Sequence, residues 1–320
     1  MKTLNLKSIL LGLMAVLAIA ILVTSCEQEA LHNLKENIPH DHSEMHTEAG
    51  TSCSDCMMYS DQEPDEIIDV LIKYSENGEP VTEKAARYGE VVVYGGDVVL
   101  TENYSSEISL RGNVLSDFSR LWPNSTMPYV WGSGLSQAQR NLVINAINEV
   151  NQQTNLCLVE RTNETAFVQF RGTDAGCYVT RIGNDGTGNQ IINLGAGCFS
   201  NHTIIHEILH KAGFFHEQTR PDRDNFITVN WNNLDGNWRF QFQRQGGETN
   251  SGNYDFASVM HYPQFHSSVT IDDSQPMYFI NNPNALPSGM TASQIGRLPN
   301  MSNTDTVSYT HLTLPTTPYV

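Results

Sequence analysis

The chain has 320 residues, 39% of them hydrophobic and 17% charged, and a formal net charge of -17. That hydrophobic fraction supports a packed core and excludes a wholly disordered protein. Residues 27–110 carry 19 acidic and 4 basic side chains, whereas the rest of the chain beyond 110 carries 16 and 12. The acidity is therefore confined to an N-terminal segment, and no clustered Lys and Arg point to nucleic acid as a partner.

Residues 1–25 read as an export signal: Lys2 and Lys7 precede an almost wholly apolar run from Ile9 to Val23, and Thr24-Ser25 then supply small residues before Cys26. The run is short for a membrane span and lacks a stop-transfer flank. The stretch LVTSC resembles a bacterial lipobox, which implies lipidation of Cys26 and a membrane contact through that anchor alone; an ordinary cleaved signal peptide is the alternative. Either reading sends the chain out of the cytoplasm, to the cell envelope or surface with release after processing, where disulfides persist. Residues 26–60 read as a disordered polar tether. Its His32, His40, His42, His46, Cys53 and Cys56 could hold a soft metal, although their spacing matches no defined site.

Order is expected to resume at EIIDVLIKYSE, followed by strand-like EVVVYGGDVVLT. From Trp122 the composition is that of a compact domain. SQAQRNLVINAINEVNQQT reads as an amphipathic helix capped by Ser136, with Leu142, Ala146, Ile147 and Val150 on its apolar face. AFVQF and QIINL read as short strands, NHTIIHEILHKA as a helix ended by Gly213, and NFITVNW as extended chain. At the C-terminus, VSYTHLTLPTTPYV has no clear periodicity and is expected not to continue the helix begun by SNTDT. Residues 307–317 back-translate codon by codon into a transposon-type sequencing adapter, so residues 307–320 are expected to be an artefact rather than a natural tail.

The chemistry concentrates in HEILHKAGFFHE, residues 206–217. On a helix His206 and His210 share one face, a turn apart, and both can reach one metal ion. Glu207 projects beside that face, where it can touch water rather than metal. Gly213 tolerates positive φ, so the chain can turn back and bring His216 round as a third ligand. Three neutral imidazoles leave one position open on zinc, the layout of a catalytic site.

This stretch resembles the extended zinc signature of the metzincin peptidases, in the form typical of the astacin family, down to the RPDRD that follows. YDFASVMHY resembles that family's Met-turn, and a weaker likeness runs from about Trp122 to Asp305. The resemblance implies an α+β, zincin-like catalytic domain over residues 116–306, with two subdomains flanking a cleft that holds one Zn2+. It implies a zinc metalloendopeptidase acting on protein or peptide substrates, with Glu207 and Tyr262 catalytic, Met260 beneath the metal and a Cys177–Cys198 disulfide. Glu217 would meet the N-terminus created by activation, and a substrate strand would add to an exposed edge, for which QIINL is the candidate. YGGDVVL resembles the family's pro-segment motif, with Tyr94 in place of the usual Phe. Residues 61–115 would then be a pro-segment, Asp97 its latency switch on the zinc, and the activation site would lie between Asp97 and Trp122. A plain Gly-Gly-Asp hairpin turn is the alternative, and Cys53 or Cys56 could block the metal instead. The family joins its equivalent of Cys157 to a cysteine that this chain lacks, so Cys157 is expected to be unpaired. A non-enzymatic surface lipoprotein that binds metal through its tether is the competing function; hydrolysis lost on removing Glu207 with zinc retained discriminates.

Overall fold

The computed structural model describes residues 63–73, 80–100, 110–111, 114–115, 120–186, 188–244 and 252–313. The residues read as an export signal, Cys26 and the His- and Cys-bearing tether lie outside the described residues.

β-Branched residues and turn glycines make the N-terminal part a meander. β1 (Glu66–Lys73), β2 (Pro80–Tyr88), β3 (Val91–Tyr94) and β4 (Val98–Leu100) pair antiparallel in chain order. A minor ribbon of β5 (Leu110–Arg111) and β6 (Val114–Leu115) follows. β7 (Thr126–Trp131), β8 (Cys157–Glu160), β9 (Val168–Arg171), β10 (Cys177–Thr180) and β11 (Gln190–Leu194) then complete a nine-stranded sheet of order β1-β2-β3-β4-β10-β11-β9-β7-β8. Within it β8, β7, β9 and β11 are parallel, and β10 returns antiparallel to β11.

The QIINL segment is β11, and it is paired on both sides rather than exposed at an edge. Its nearly unbroken burial is that of an interior strand. The five strands from β7 to β11 end instead at β10, and β4 lies along that edge in parallel register, Val98 opposite Val179 and Val99 opposite Thr180.

Two helices pack on this frame. α1 (Gln137–Gln153) starts in a capping box: the Gln139 amide donates to Ser136 Oγ, and the Ser136 amide donates to Gln139 Oε1 at 2.8 Å. Its buried stripe is Val143, Ala146, Ile147 and Val150, whereas Leu142 is 41% exposed. Val143 stands three, four and seven residues before the other three, so it and not Leu142 completes the apolar face. α2 (Asn201–Ala212) is capped by Ser200, whose hydroxyl accepts from the Thr203 amide, and ends at Gly213 with φ 114. The fully buried Lys211 on α2 donates to the carbonyls of Thr180 (2.9 Å) and Arg181 (3.1 Å), which ties the helix to the end of β10.

A second apolar cluster, built on Trp238, Phe242, Tyr262, Tyr278 and Ile295, is separate from the one beneath the sheet. It carries the ladder of β12 (Ile227–Val229) with β13 (Tyr278–Ile280), and Ala86 of β2 packs into it as well. The fold is thus α+β with two subdomains, as expected. The Cys177–Cys198 disulfide ties the start of β10 to the loop after β11. Cys157 is also disulfide-bonded, to a partner outside the described residues. The expectation of a free thiol fails because it rested on the missing family partner alone; Cys157 sits half-buried on the edge strand β8, where another segment can reach it.

α3 (Asn303–Thr313) runs on through the segment expected to break it. What decides this helix is its first turn rather than later periodicity. Ser302 Oγ accepts from the Asp305 amide, and Asp305 Oδ2 accepts from the Ser302 amide. The Asp305 carboxylate is buried and also accepts from Ser258 Oγ (2.6 Å) and the Val259 amide (3.1 Å). Burial pushes this carboxyl up to about 6 despite those donors. The folded chain therefore keeps a proton that the unfolded chain releases near pH 4, so the group's contribution to stability is full below pH 4 and is lost as pH rises through 6. By linkage the loss is about 3 kcal/mol. Chemical denaturation of wild type and Asp305→Asn should show the variant gaining on wild type by up to that amount between pH 4 and pH 7. A difference that stays flat across this range contradicts the assignment.

Candidate metal centre

The helix geometry expected from the sequence holds. His206 and His210 lie one turn apart on α2, and the left-handed Gly213 turns the chain so that His216 faces them. The Nδ1–H of His206 donates to Val259 O at 2.8 Å, and that of His210 to Phe214 O at 2.7 Å. With those protons committed, both rings direct a bare Nε2 inward. His216 Nε2 lies 3.2 Å from His206 Nε2 and 3.3 Å from His210 Nε2.

Asp97 completes the group. It occupies the turn between β3 and β4, so it is both a hairpin residue and a member of the cluster. Its Oδ2 lies 2.9 Å from His216 Nε2 and 3.2 Å from His206 Nε2, and its Oδ1 lies 3.4 Å from His210 Nε2. All four side chains are buried. A tetrahedron with zinc-to-ligand arms of 2.0–2.1 Å has edges of about 3.3–3.4 Å. The two His216 edges, 3.2 and 3.3 Å, match, and the nearer Asp97 oxygen lies 2.9 to 3.4 Å from each imidazole. Without a cation, inward lone pairs at this spacing repel, so the donor set fits zinc.

Electrostatics agrees. Burial alone would raise the Asp97 carboxyl, but the His216 and His210 rings packed against it, with His206, hold it well below its usual range. Burial depresses His206, and His216 to about 4. An anionic carboxylate and neutral imidazoles are the protonation states that ligate a metal.

Glu207 is fully buried next to His206, and neither carboxylate oxygen has a hydrogen-bond partner. Burial, then the charge of Asp97, raises it well above its ordinary value. The Tyr262 ring lies tilted 4.6 Å from that of His216, and its hydroxyl donates to Gly95 O at 3.2 Å. Met260 is buried, and its carbonyl accepts from the Glu217 amide at 2.9 Å. Glu217 Oε1 accepts from the Asp255 amide (2.8 Å) and from Arg220 (3.2 Å), while burial raises its carboxyl to about 8.

Some residues around the centre escaped the sequence reading. His202, one turn before His206, stacks against it with ring centroids 6.3 Å apart. Asp305 grips the Val259 amide while the Val259 carbonyl holds His206. Its only sequence signal was the S-x-x-D pattern of a helix start, which says nothing of a metal. Gln218 accepts from the Tyr262 amide at 3.1 Å, and Gln241 packs against Gly96; neither has a spacing that could have revealed it.

Residues 114–312 match the family model described as Astacin, a peptidase family. The chain is 37% identical over 155 residues to zinc metalloproteinase nas-15 of Caenorhabditis elegans, a match covering 47% of this chain and 26% of that protein. It is 36% identical over 162 residues to Tolloid-like protein 1 of Homo sapiens, covering 49% of this chain and 16% of that one. The match thus spans about a quarter or less of the length of these relatives. Among solved structures, high choriolytic enzyme 1, a hatching enzyme zinc-protease from Oryzias latipes (Medaka fish), superposes with a TM-score of 0.54 at 29% identity, covering 62% of this chain and 96% of that one. With the family model matching well over half of the sequence, the chain belongs to the astacin family of peptidases.

Proposed function

We propose that the chain is a zinc-dependent endopeptidase that hydrolyses peptide bonds in proteins and is made as a latent precursor. The observation that carries the reading is the four-cornered donor set of His206, His210, His216 and Asp97, with the unbonded Glu207 beside it. The metal when bound supplies Lewis-acid chemistry: it lowers the pKa of water toward neutrality and polarises a carbonyl. His206, His210 and His216 hold it, their orientation fixed by the carbonyls behind the first two rings.

Glu207 is the general base. It takes the proton from the attacking water and hands it to the leaving amine, a role that suits a carboxylate with no competing partner. Tyr262 donates to the oxyanion; its hydroxyl is engaged by Gly95 O in the latent form and is freed when that segment withdraws. Asp97 is the latency switch, because its carboxylate fills the corner that water needs. The β4 strand adds to this block by covering the β10 edge, where a substrate backbone would otherwise pair.

Residues 61–115 are then the pro-segment, cut between Asp97 and Trp122. Glu217, whose carboxyl burial raises to about 8, sits beside Asp255 and is faced by Arg220, and a new N-terminal ammonium arriving there would favour its ionised form. The signal-like start and Cys26 make the protein an exported, lipid-anchored precursor. The natural substrate class is protein or peptide.

Glu207→Ala should retain about one zinc per chain by metal analysis, yet lose casein-hydrolysing turnover by roughly 10²–10⁴-fold after activation. Turnover that survives the change would remove the proposed base. Asp97→Ala should convert the uncut precursor into an active enzyme. If that variant stays latent until cleaved, steric cover by β4 or a thiolate from Cys53 or Cys56 enforces latency instead.

A further inference from the structure

Gln241 lies in the short 3-10 turn Arg239–Phe242, between the apolar side chains of Phe240 and Phe242. Its side chain is completely buried, and neither Oε1 nor Nε2 has a hydrogen-bond partner. A Cβ placed on Gly96 would lie 2.9 Å from its Nε2 and 2.5 Å from Tyr262 Oη. Amide and phenol therefore abut the same glycine, one residue before Asp97.

A buried amide left unbonded costs about 1–3 kcal/mol for each stranded group. Leu or Met would fill the same space among these aromatic neighbours without that cost. The latent chain therefore carries a penalty that the amide must recover in another state. Gly96, at φ 109 and with no side chain, slides between Gln241 and Tyr262 without satisfying the amide. What satisfies a primary amide at both ends is a peptide unit, whose C=O accepts from Nε2 and whose N–H donates to Oε1.

We propose that Gln241 is a substrate-binding residue that grips one backbone peptide unit of the polypeptide being cut, beside Tyr262. The place it contacts is the one that Gly96 fills in the latent chain. This deepens the endopeptidase reading and rests on it. Gln241 recognises backbone, so it contributes affinity and alignment for any peptide in the cleft rather than selecting a side chain.

The test compares the full-length wild type with Gln241→Met, each activated and zinc-loaded, on casein and on an internally quenched peptide. Gln241→Leu repeats the contrast with a second shape. Expected is a fall in kcat/KM of roughly ten- to hundredfold, one or two lost hydrogen bonds' worth. Zinc content should be unchanged, and the Tm of the latent precursor should be unchanged or raised, because the stranded amide is gone. Activity within twofold of wild type in both variants overturns the proposal. So does a precursor Tm that falls together with zinc content, which would make Gln241 a structural residue only. A wild type that holds zinc but cleaves neither probe removes the endopeptidase reading and this inference with it; an active wild type with unaffected variants removes the inference alone.

Discussion

Imidazole lone pairs held about 3.2 Å apart in a dry interior repel one another, and the surrounding structure is arranged to keep them there. Each constraint has a visible source. The helical turn sets the spacing of His206 and His210, the left-handed Gly213 returns the chain for His216, and backbone carbonyls fix two of the tautomers. Only a cation at the centre turns this arrangement from a cost into a gain. The metal-binding geometry is preorganised at the expense of the metal-free fold, which raises selectivity for an ion with tetrahedral preference.

The local parts of this design were legible in the sequence because they depend on short spacings. The single helical turn from His206 to His210, a glycine shortly after it and a third histidine beyond are enough to define one side of a metal. Ser136 announced its helix by the same local logic. What escaped depends on partners far away in the chain. The pairing of β4 with β10 joins residues some eighty positions apart and obeys no local pattern. QIINL carries the apolar run of a strand, but nothing in five residues says whether one or both of its edges are paired. Leu142 and Val143 differ by a single step of helical phase, which the apolar pattern leaves ambiguous. The reading of Cys157 applied a family pairing to a chain that lacks the family's partner, and so missed a bond made elsewhere.

The metal centre and the C-terminal helix are mechanically continuous. Asp305 at the start of α3 holds the amide of Val259, and the carbonyl of the same residue holds His206. Ser258 connects the two as well: its hydroxyl donates to Asp305 and accepts from the Met260 amide. A displacement of α3 therefore reaches His206 through two hydrogen bonds and the single residue Val259. Lys211 makes a comparable link on the other side, from α2 to the carbonyls at the end of β10.

The parallel seam between β4 and β10 has a colloidal consequence. Four of the nine strands precede residue 101, and removing them would leave β10 with a row of unpaired N–H and C=O groups. Such an edge is a template for any extended chain, including another copy of itself. β10 is buried along its whole length while covered, so its exposed form would be apolar as well as unpaired. The N-terminal meander thus shields an adhesive edge. Stripped of it, the chain would stay dispersed only at low local concentration or while polypeptide occupies the seam.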